Sequence, residues 1–214
     1  MKYDNLMKYA LPFIIIAGIF VSPAFAFTMI EIPAGAFIMG DGSETQTVTL
    51  DAFFIDPYEV TNAEYAEKVP DHHYPVDAGL HPVSDVTWEN ARGFCEKSGK
   101  RLPTEEEWEK AARGADGRVY PWGNKVREKP HPYFSGLIKR RVGLQKQDSS
   151  FYGLSDMSGS VWEWTLGERE GKKATRGGLW NLHLDYEYSK TYDRNFLAAD
   201  QRFPFLGFRC ARSK

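Results

Sequence analysis

The first residues whose types and spacing suit chemistry lie between positions 156 and 163. Asp156 and Glu163 place carboxylates at the two ends of this segment, and Gly159 lets the backbone bend between them. Hard cations such as calcium take six to eight oxygen ligands, including main-chain carbonyls. The spacing indicates either a calcium site or a turn with a buried, salt-bridging glutamate.

A second group of candidate ligands follows in the segment 183–187. His183, Asp185 and Glu187 alternate along the chain, so on a strand their side chains would share one face. A histidine with two carboxylates can hold iron or another divalent ion. The alternative is a polar rim or a solvent-facing strand, and the residues alone leave both interpretations open.

Three further histidines, His72, His73 and His81, lie in an irregular stretch that contains several prolines. An adjacent histidine pair can bind a metal, but neighbouring side chains in an extended segment point in opposite directions. The pattern therefore favours a surface loop over a metal site.

The sequence contains two cysteines, Cys95 and Cys210. In an exported protein an even pair is typical of a disulfide, and two buried free thiols are the alternative. No Gly-x-Ser-x-Gly motif, phosphate-binding loop or cysteine–histidine pair with a free thiol is recognisable. We therefore predict no catalytic residue. The net charge is −2 without a basic stripe, which argues against a nucleic-acid partner.

The N-terminus has the features of a targeting segment. Lys2 and Lys8 precede an apolar run at 11–21, and an Ala-Phe-Ala cleavage signal ends at Ala26. The run is shorter than the roughly 20 residues that a membrane-spanning helix needs, although an uncleaved anchor helix is the alternative. We predict cleavage after Ala26, which leaves one domain at 27–214 with no membrane span. Its location would be periplasmic or secreted.

Two helices supply the framework for these candidates. Thr87 caps a helix at 88–98, and Gly99 ends it. Thr104 begins a second helix at 105–113 with a capping box, and its apolar face includes Trp108. The pattern places Cys95 against the core, within reach of the C-terminal strand that carries Cys210.

Strand-like segments precede the helices. Residues 28–40 predict a strand pair that turns at 33–35, and residues 47–56 predict a second strand region rich in β-forming residues. A short helix begins with Thr61 or Asn62 as its cap. These elements indicate an α+β fold with short strands and much ordered loop.

Six motifs in order give the chain a family resemblance. They are Val-Thr-Trp-Glu-Asn-Ala-Arg-Gly-Phe-Cys at 86–95, Arg-Leu-Pro-Thr-Glu-Glu-Glu-Trp at 101–108, Tyr-Pro-Trp-Gly-Asn at 120–124, Gly-Leu-Ser-Asp-Met-Ser-Gly-Ser-Val-Trp-Glu-Trp at 153–164, Arg-Gly-Gly-Leu-Trp at 176–180 and Gly-Phe-Arg-Cys at 207–210. The series resembles the formylglycine-generating enzyme, or sulfatase-modifying factor, family. The resemblance implies an α+β fold related to C-type lectins, with short antiparallel strands and two main helices.

The resemblance also implies particular site residues. It favours a Cys95–Cys210 disulfide, since relatives carry paired cysteines at both positions. It implies structural calcium held by Asp156, Glu163 and the carbonyls of Gly159 and Val161. Ser160 replaces the asparagine usual in the family.

The catalytic positions depart from the family. Its oxidases bind copper through two cysteines, and those positions fall on Leu182 and Glu187 here. Formylglycine-generating activity is therefore not expected. The corresponding cleft would contain Trp180, His183, Asp185, Glu187 and Arg194.

Three functions remain open at this stage. The preferred hypothesis is a non-catalytic module that binds a protein or peptide partner in the cell envelope. The second is a metal-dependent oxidase, similar to pyoverdine-maturation relatives, that uses iron or copper at a site without cysteine. The third is a structural component of an envelope assembly, docked through the basic stretch at 125–141.

Overall fold

A computed structural model describes residues 28–41, 44–125, 141–144, 149–178 and 190–214. The described part contains nine strands and three helices. In chain order they are β1 (Ile30–Ile32), β2 (Gly35–Met39), β3 (Gln46–Leu50), β4 (Phe53–Ile55), α1 (Asn62–Lys68), α2 (Trp88–Lys97), α3 (Glu105–Arg113), β5 (Trp162–Arg169), β6 (Lys172–Arg176), β7 (Arg194–Leu197), β8 (Leu206–Gly207) and β9 (Ala211–Ser213). The predicted α+β class is confirmed.

The strands form three small sheets. One has the order β1-β4-β9, the second pairs β2 with β3, and the third has the order β7-β6-β5-β8. All pairs are antiparallel except β5 with β8. Strands that are distant in sequence therefore meet, and the β1-β4-β9 sheet joins the C-terminus to the N-terminal half.

The expected strand pair within 28–40 is wrong in its pairing. Both strands exist, but β1 pairs with β4 and β2 pairs with β3. The region 47–56 is likewise two strands that lie in different sheets. A proline at position 33 has no N–H to donate, and the connection at 33–34 sends β2 into a separate sheet.

The predicted helix boundaries hold to within a residue. Thr61, Thr87 and Thr104 are the three N-caps, and each forms a complete capping box with the residue three positions later. Helix α2 ends one residue earlier than expected, at Lys97. Gly114 lies at φ 76° after α3, a left-handed conformation that glycine adopts without strain.

Helix α3 is buried on more than its apolar face. Trp108 is fully buried as expected, but the charged side chains of Glu109, Lys110 and Arg113 are also at most 3% exposed. Lys110 donates to the carbonyls of the β1–β2 connection at 2.7 and 2.9 Å. Its burial lowers the pKa of the ammonium group. The amphipathic pattern therefore predicted the helix but not its full enclosure.

A disulfide joins α2 to the C-terminal segment. Cys95 and Cys210 are both fully buried, with 5.7 Å between their Cα atoms and a sequence separation of 115. The predicted pairing is confirmed. Cys210 lies immediately before β9, so the bridge fixes helix α2 against the sheet that contains both ends of the described domain. None of the described helices is long and apolar enough to cross a membrane.

Candidate functional site

The four residues predicted to hold calcium all lie in or beside the turn that leads into β5. Asp156, Gly159 and Val161 are buried in the turn, and Glu163 is the second residue of the strand, with a fully buried side chain. The four residues therefore share one turn and the start of β5, and their role as calcium ligands stays a prediction.

Left-handed backbone gives this turn its shape. Asp156 and Ser160 have φ values of 60° and 69°, which are uncommon for residues other than glycine. The Gly159 N–H donates to the carbonyl of Gly177 at 2.6 Å. The Asp156 carboxylate accepts from the N–H of Gly143 at 2.6 Å. These contacts tie the turn to β6 on one side and to the segment 141–144 on the other.

Glu163 is held by an arginine. Its Oε2 accepts from Arg209 Nε at 2.7 Å and its Oε1 from Arg209 Nη2 at 2.8 Å. Trp108 Nε1 of helix α3 donates to Oε2 as well, at 2.9 Å. All three side chains are fully buried. This is the salt-bridging glutamate that the spacing had left open as the alternative to calcium.

The sequence analysis missed a third carboxylate of this cluster, Glu59. Its side chain is 2% exposed, and neither carboxylate oxygen has a hydrogen-bond partner among the described residues. Burial, followed by the charge of Asp156, raises its pKa well above the usual value; Arg209 opposes this shift. Glu59 lies in a Tyr-Glu-Val-Thr-Asn segment that gives no sign of its burial, so the pattern offered no signal for it.

These donors suit a hard cation in charge but not fully in geometry. Glu59, Asp156 and Glu163 together with Arg209 carry two excess negative charges when all are ionised. The oxygens of Glu59 have no hydrogen-bond partner within the part of the chain that the structure describes, whereas both oxygens of Glu163 already accept from Arg209. No three histidine, cysteine or carboxylate side chains among the described residues are placed so that they could hold one metal ion together. Calcium at this turn therefore stays a prediction.

Most of the expected cleft lies outside the described residues. This applies to Trp180, His183, Asp185 and Glu187. Arg194 is on β7 and forms an ion pair with Glu44 at 2.7 Å, with both side chains partly exposed. An exposed ion pair of this kind contributes little to stability.

A buried charged network stands directly before the cleft segment. Arg176 at the end of β6 is fully buried and donates to Glu109 of α3 at 3.0 Å and to the carbonyl of Tyr192 at 3.1 Å. Glu109 also accepts from Arg113 at 2.6 Å. Glu105 lies 3.1 Å from Arg176 as a further ion-pair partner. These contacts join the end of β6 to helix α3.

Two titratable groups have strongly shifted pKa values beside the network. Burial, followed by the charge of Asp41, raises the pKa of Tyr192 to about 12. Burial raises the pKa of Asp193 to about 6, partly offset by its hydrogen bond from the N–H of Lys190. Asp193 therefore changes charge near neutral pH.

The three loop histidines share one location. His72, His73 and His81 all line a cavity beside α1. They do not belong to any metal-capable cluster within the described ranges. Their shared position is a feature that the sequence did not predict.

Comparison with known proteins decides the family. The model of the sulfatase-modifying factor enzyme 1-like domain matches residues 23–214. The chain belongs to this family. The sulfatase-modifying factor domain is 29% identical to the mouse formylglycine-generating enzyme, over 86% of this chain and 74% of that protein. It is also 29% identical to the bovine inactive C-alpha-formylglycine-generating enzyme 2, over 86% of this chain and 87% of that protein.

Solved structures show the same fold at lower identity. Treponema denticola variable protein 1 aligns with a TM-score of 0.73 and 22% identity, covering 88% of this chain and 95% of that one. PvdO from Pseudomonas aeruginosa aligns with a TM-score of 0.68 and 21% identity, covering 87% and 94%. Because the relatives of this sulfatase-modifying factor domain include both an enzyme and a protein named inactive, membership alone does not decide activity.

Proposed function

We propose that this sulfatase-modifying factor domain is exported, lacks formylglycine-generating activity and binds a protein or peptide partner. One observation carries the proposal: its two cysteines form a single buried disulfide. Copper(I) is selected by soft thiolate ligands, and no thiol remains to supply one. The motif resemblance maps the family's catalytic cysteines onto Leu182 and Glu187, whose side chains carry no thiol.

Binding through loops requires a rigid scaffold. The capped helices, the disulfide and the buried charge networks form an ordered framework around the segments that would present a ligand-binding surface. Functional residues commonly lie on loops held by a rigid scaffold, which is the arrangement proposed here.

Export is supported by the disulfide together with the targeting segment. Disulfides persist in oxidising compartments such as the periplasm and are rare in the cytosol. Intact-mass measurement of the protein recovered from its producing cells tests the proposal. A mature chain that begins at Phe27 is expected, and a chain that retains residues 1–26 would show instead an uncleaved anchor.

Calcium is part of the proposal as a structural ion. Asp156, Glu163 and the carbonyls of Gly159 and Val161 would hold it, and Glu59 interacts electrostatically with both carboxylates. A bound calcium would supply positive charge where carboxylates otherwise repel one another in the core.

Metal content of the mature protein separates the proposal from an oxidase without catalytic cysteines. The protein is purified without chelator and with its disulfide intact, and calcium, iron, copper and zinc are measured against protein concentration. Calcium near one per chain without a redox metal is expected. Stoichiometric iron or copper would overturn the non-catalytic assignment, and the paired variant His183→Ala with Glu187→Ala would then test where that metal binds.

A further inference from the structure

A cavity of about 870 Å³ opens beside α1, between the segment that follows this helix and residues 202–204. Its size is within the range of about 300–1,000 Å³ that is usual for ligand pockets. Polar and aromatic side chains dominate its lining. The residues used below are Tyr65, Asp71, His72, Tyr74, Asp85 and Arg202.

The wall that follows α1 is held in place by hydrogen bonds. His72 Nε2 lies 2.9 Å from Oδ1 of Asn62, so the imidazole donates to the amide oxygen. The amide nitrogen of Asn62 donates to the carbonyl of Ala78 at 2.9 Å, and its backbone N–H donates to His81. The cavity is therefore largely formed before any ligand arrives, which lowers the entropic cost of binding.

Aromatic rings line the inner part of the cavity. The ring of His72 meets Tyr65 edge to face at 5.0 Å and lies 5.7 Å from the ring of Tyr74. Tyr65 is 5% exposed, and burial raises the pKa of its hydroxyl. That hydroxyl makes no hydrogen bond to any residue that the structure describes. Because Tyr65 lines the open cavity, its hydroxyl offers a hydrogen-bond site to a ligand with a polar tip.

Exposed apolar residues stand outside the cavity on both walls. Val76 follows Pro75 on one wall and is fully exposed, and Phe203 lies between Arg202 and Pro204 on the other wall with 44% of its surface exposed. A small molecule inside the cavity would leave both exposed. We expect a polypeptide segment that crosses the opening to contact both.

The rim carries more negative than positive charge. Asp71 and Asp85 lie on the wall after α1, and Arg202 is the opposing cation. Asp85 has a left-handed φ of 61°, and its N–H donates to the carbonyl of Phe203 at 3.0 Å, which joins the two walls. Two carboxylates against one guanidinium favour a basic residue in the partner.

We propose that this cavity binds an extended peptide segment through one aromatic side chain flanked by a basic residue. The aromatic ring packs against His72 and Tyr74, and the polar atom of a tyrosine or tryptophan reaches the hydroxyl of Tyr65. The basic neighbour faces Asp71 or Asp85. The inference rests on the proposed peptide-binding function and gives that function a site.

The probe is a random linear peptide library displayed on phage, selected against the mature, disulfide-bonded domain. Enriched peptides are then synthesised with and without their aromatic residue replaced by alanine, and affinities are measured by fluorescence anisotropy. The variants are Tyr74→Ala and the pair Val76→Ser with Phe203→Ser. Phe151→Ser is the matched control, because Phe151 is similarly exposed and does not line the cavity.

The expected result is enrichment of peptides that place an aromatic next to a lysine or arginine. Loss of the aromatic, or of the cavity residues, should weaken binding about tenfold or more, as expected for a buried anchor. The control should bind like the native protein. Tyr65→Phe removes one hydroxyl and should weaken binding several-fold, since a neutral hydrogen bond contributes about 0.5–1.5 kcal/mol.

Two other outcomes overturn the inference in different ways. Enriched peptides that bind equally to the native protein and to the cavity variants would leave peptide binding intact but place it elsewhere. No enrichment at all would overturn both the cavity and the proposed peptide-binding function. Thermal unfolding of each variant shows whether a lost interaction reflects the cavity or a failure to fold.

Discussion

Arg209 and Glu163 form a two-point ion pair in which neither side chain has any exposed surface. The guanidinium donates from Nε and Nη2 to both carboxylate oxygens, and Arg209 also donates to the carbonyls of Asp56 and Ser155. This pair connects the C-terminal segment to β5 and to the turn that holds Asp156. This contact holds the side chain of Glu163, one of the predicted calcium ligands.

Removing one partner of this pair should be strongly destabilising. Arg209→Met would leave the Glu163 carboxylate buried without its partner, and such losses cost about 3–5 kcal/mol. The double variant Arg209→Met with Glu163→Leu should recover part of that loss, because no buried charge remains. Urea unfolding measures the free energy of unfolding of both variants. A single variant that is as stable as the native protein would show that the pair is not formed.

Reduction of the disulfide should lower the melting temperature. The Cys95–Cys210 bridge constrains a loop of more than a hundred residues, and loss of such a bridge typically costs about 2–5 kcal/mol. Scanning calorimetry with and without a thiol reductant measures the change. The variant Cys95→Ala with Cys210→Ala should melt at the same temperature in both conditions, and the native protein should match it only when reduced.

Calcium should stabilise the native protein through the turn at 156–163. A ligand present at a hundred times its dissociation constant raises the free energy of unfolding by about 2.7 kcal/mol. Asp156→Asn keeps an acceptor for the N–H of Gly143 but removes the charge. The rise in melting temperature that calcium causes in the native protein should therefore largely disappear in this variant. Asp200→Asn changes an exposed carboxylate and should leave the calcium-dependent rise in melting temperature intact. Equal melting temperatures of the native protein in calcium and in chelator would contradict a site here.

The pKa of Asp193 predicts a pH dependence of stability. Burial raises this pKa from 3.8 to about 6, so the folded state favours the protonated acid. The resulting stabilisation is fully present below pH 3.8 and is lost as the pH rises through about 6. The Asp193→Asn variant cannot ionise at this position and should not show this loss.

The measurement compares urea unfolding of the two proteins between pH 4 and pH 7. The free energy of unfolding of Asp193→Asn, minus that of the native protein, should increase with pH and level off above about pH 6. Asp200→Asn serves as the control, with a difference that stays nearly constant over the same range. A constant difference for Asp193→Asn would show that this carboxyl has an ordinary pKa.

Local sequence signals predicted much of the framework. Thr104 with Glu107 predicted a capping box, Thr87 predicted an N-cap, and the start of α1 was narrowed to Thr61 or Asn62, because a cap is completed within one turn. The spacing of Asp156 and Glu163 likewise predicted one turn that brings both carboxylates together. These features depend on residues that are close in the chain, so a single stretch of sequence contains them.

Strand pairing and the burial of charge were not predictable in the same way. β1 and β2 are neighbours in the chain but belong to different sheets, because their partners are chosen by packing against distant strands. Lysine side chains usually face solvent, yet that of Lys110 is enclosed by the β1–β2 connection. The same applies to Glu59, whose burial depends on segments far along the sequence.

The order of the motifs, the helix boundaries and the positions of the cysteines could be read from the chain without coordinates. The partner of each buried charge could not, since Glu163 meets Arg209 and Trp108 only after helix α3, strand β5 and the C-terminal segment have packed together. Capping and turn contacts act over a few residues, whereas desolvation is produced by all the elements that surround a side chain. That difference is why the sequence indicated a family and a turn, and the packed structure revealed a buried carboxylate cluster and a cavity beside α1.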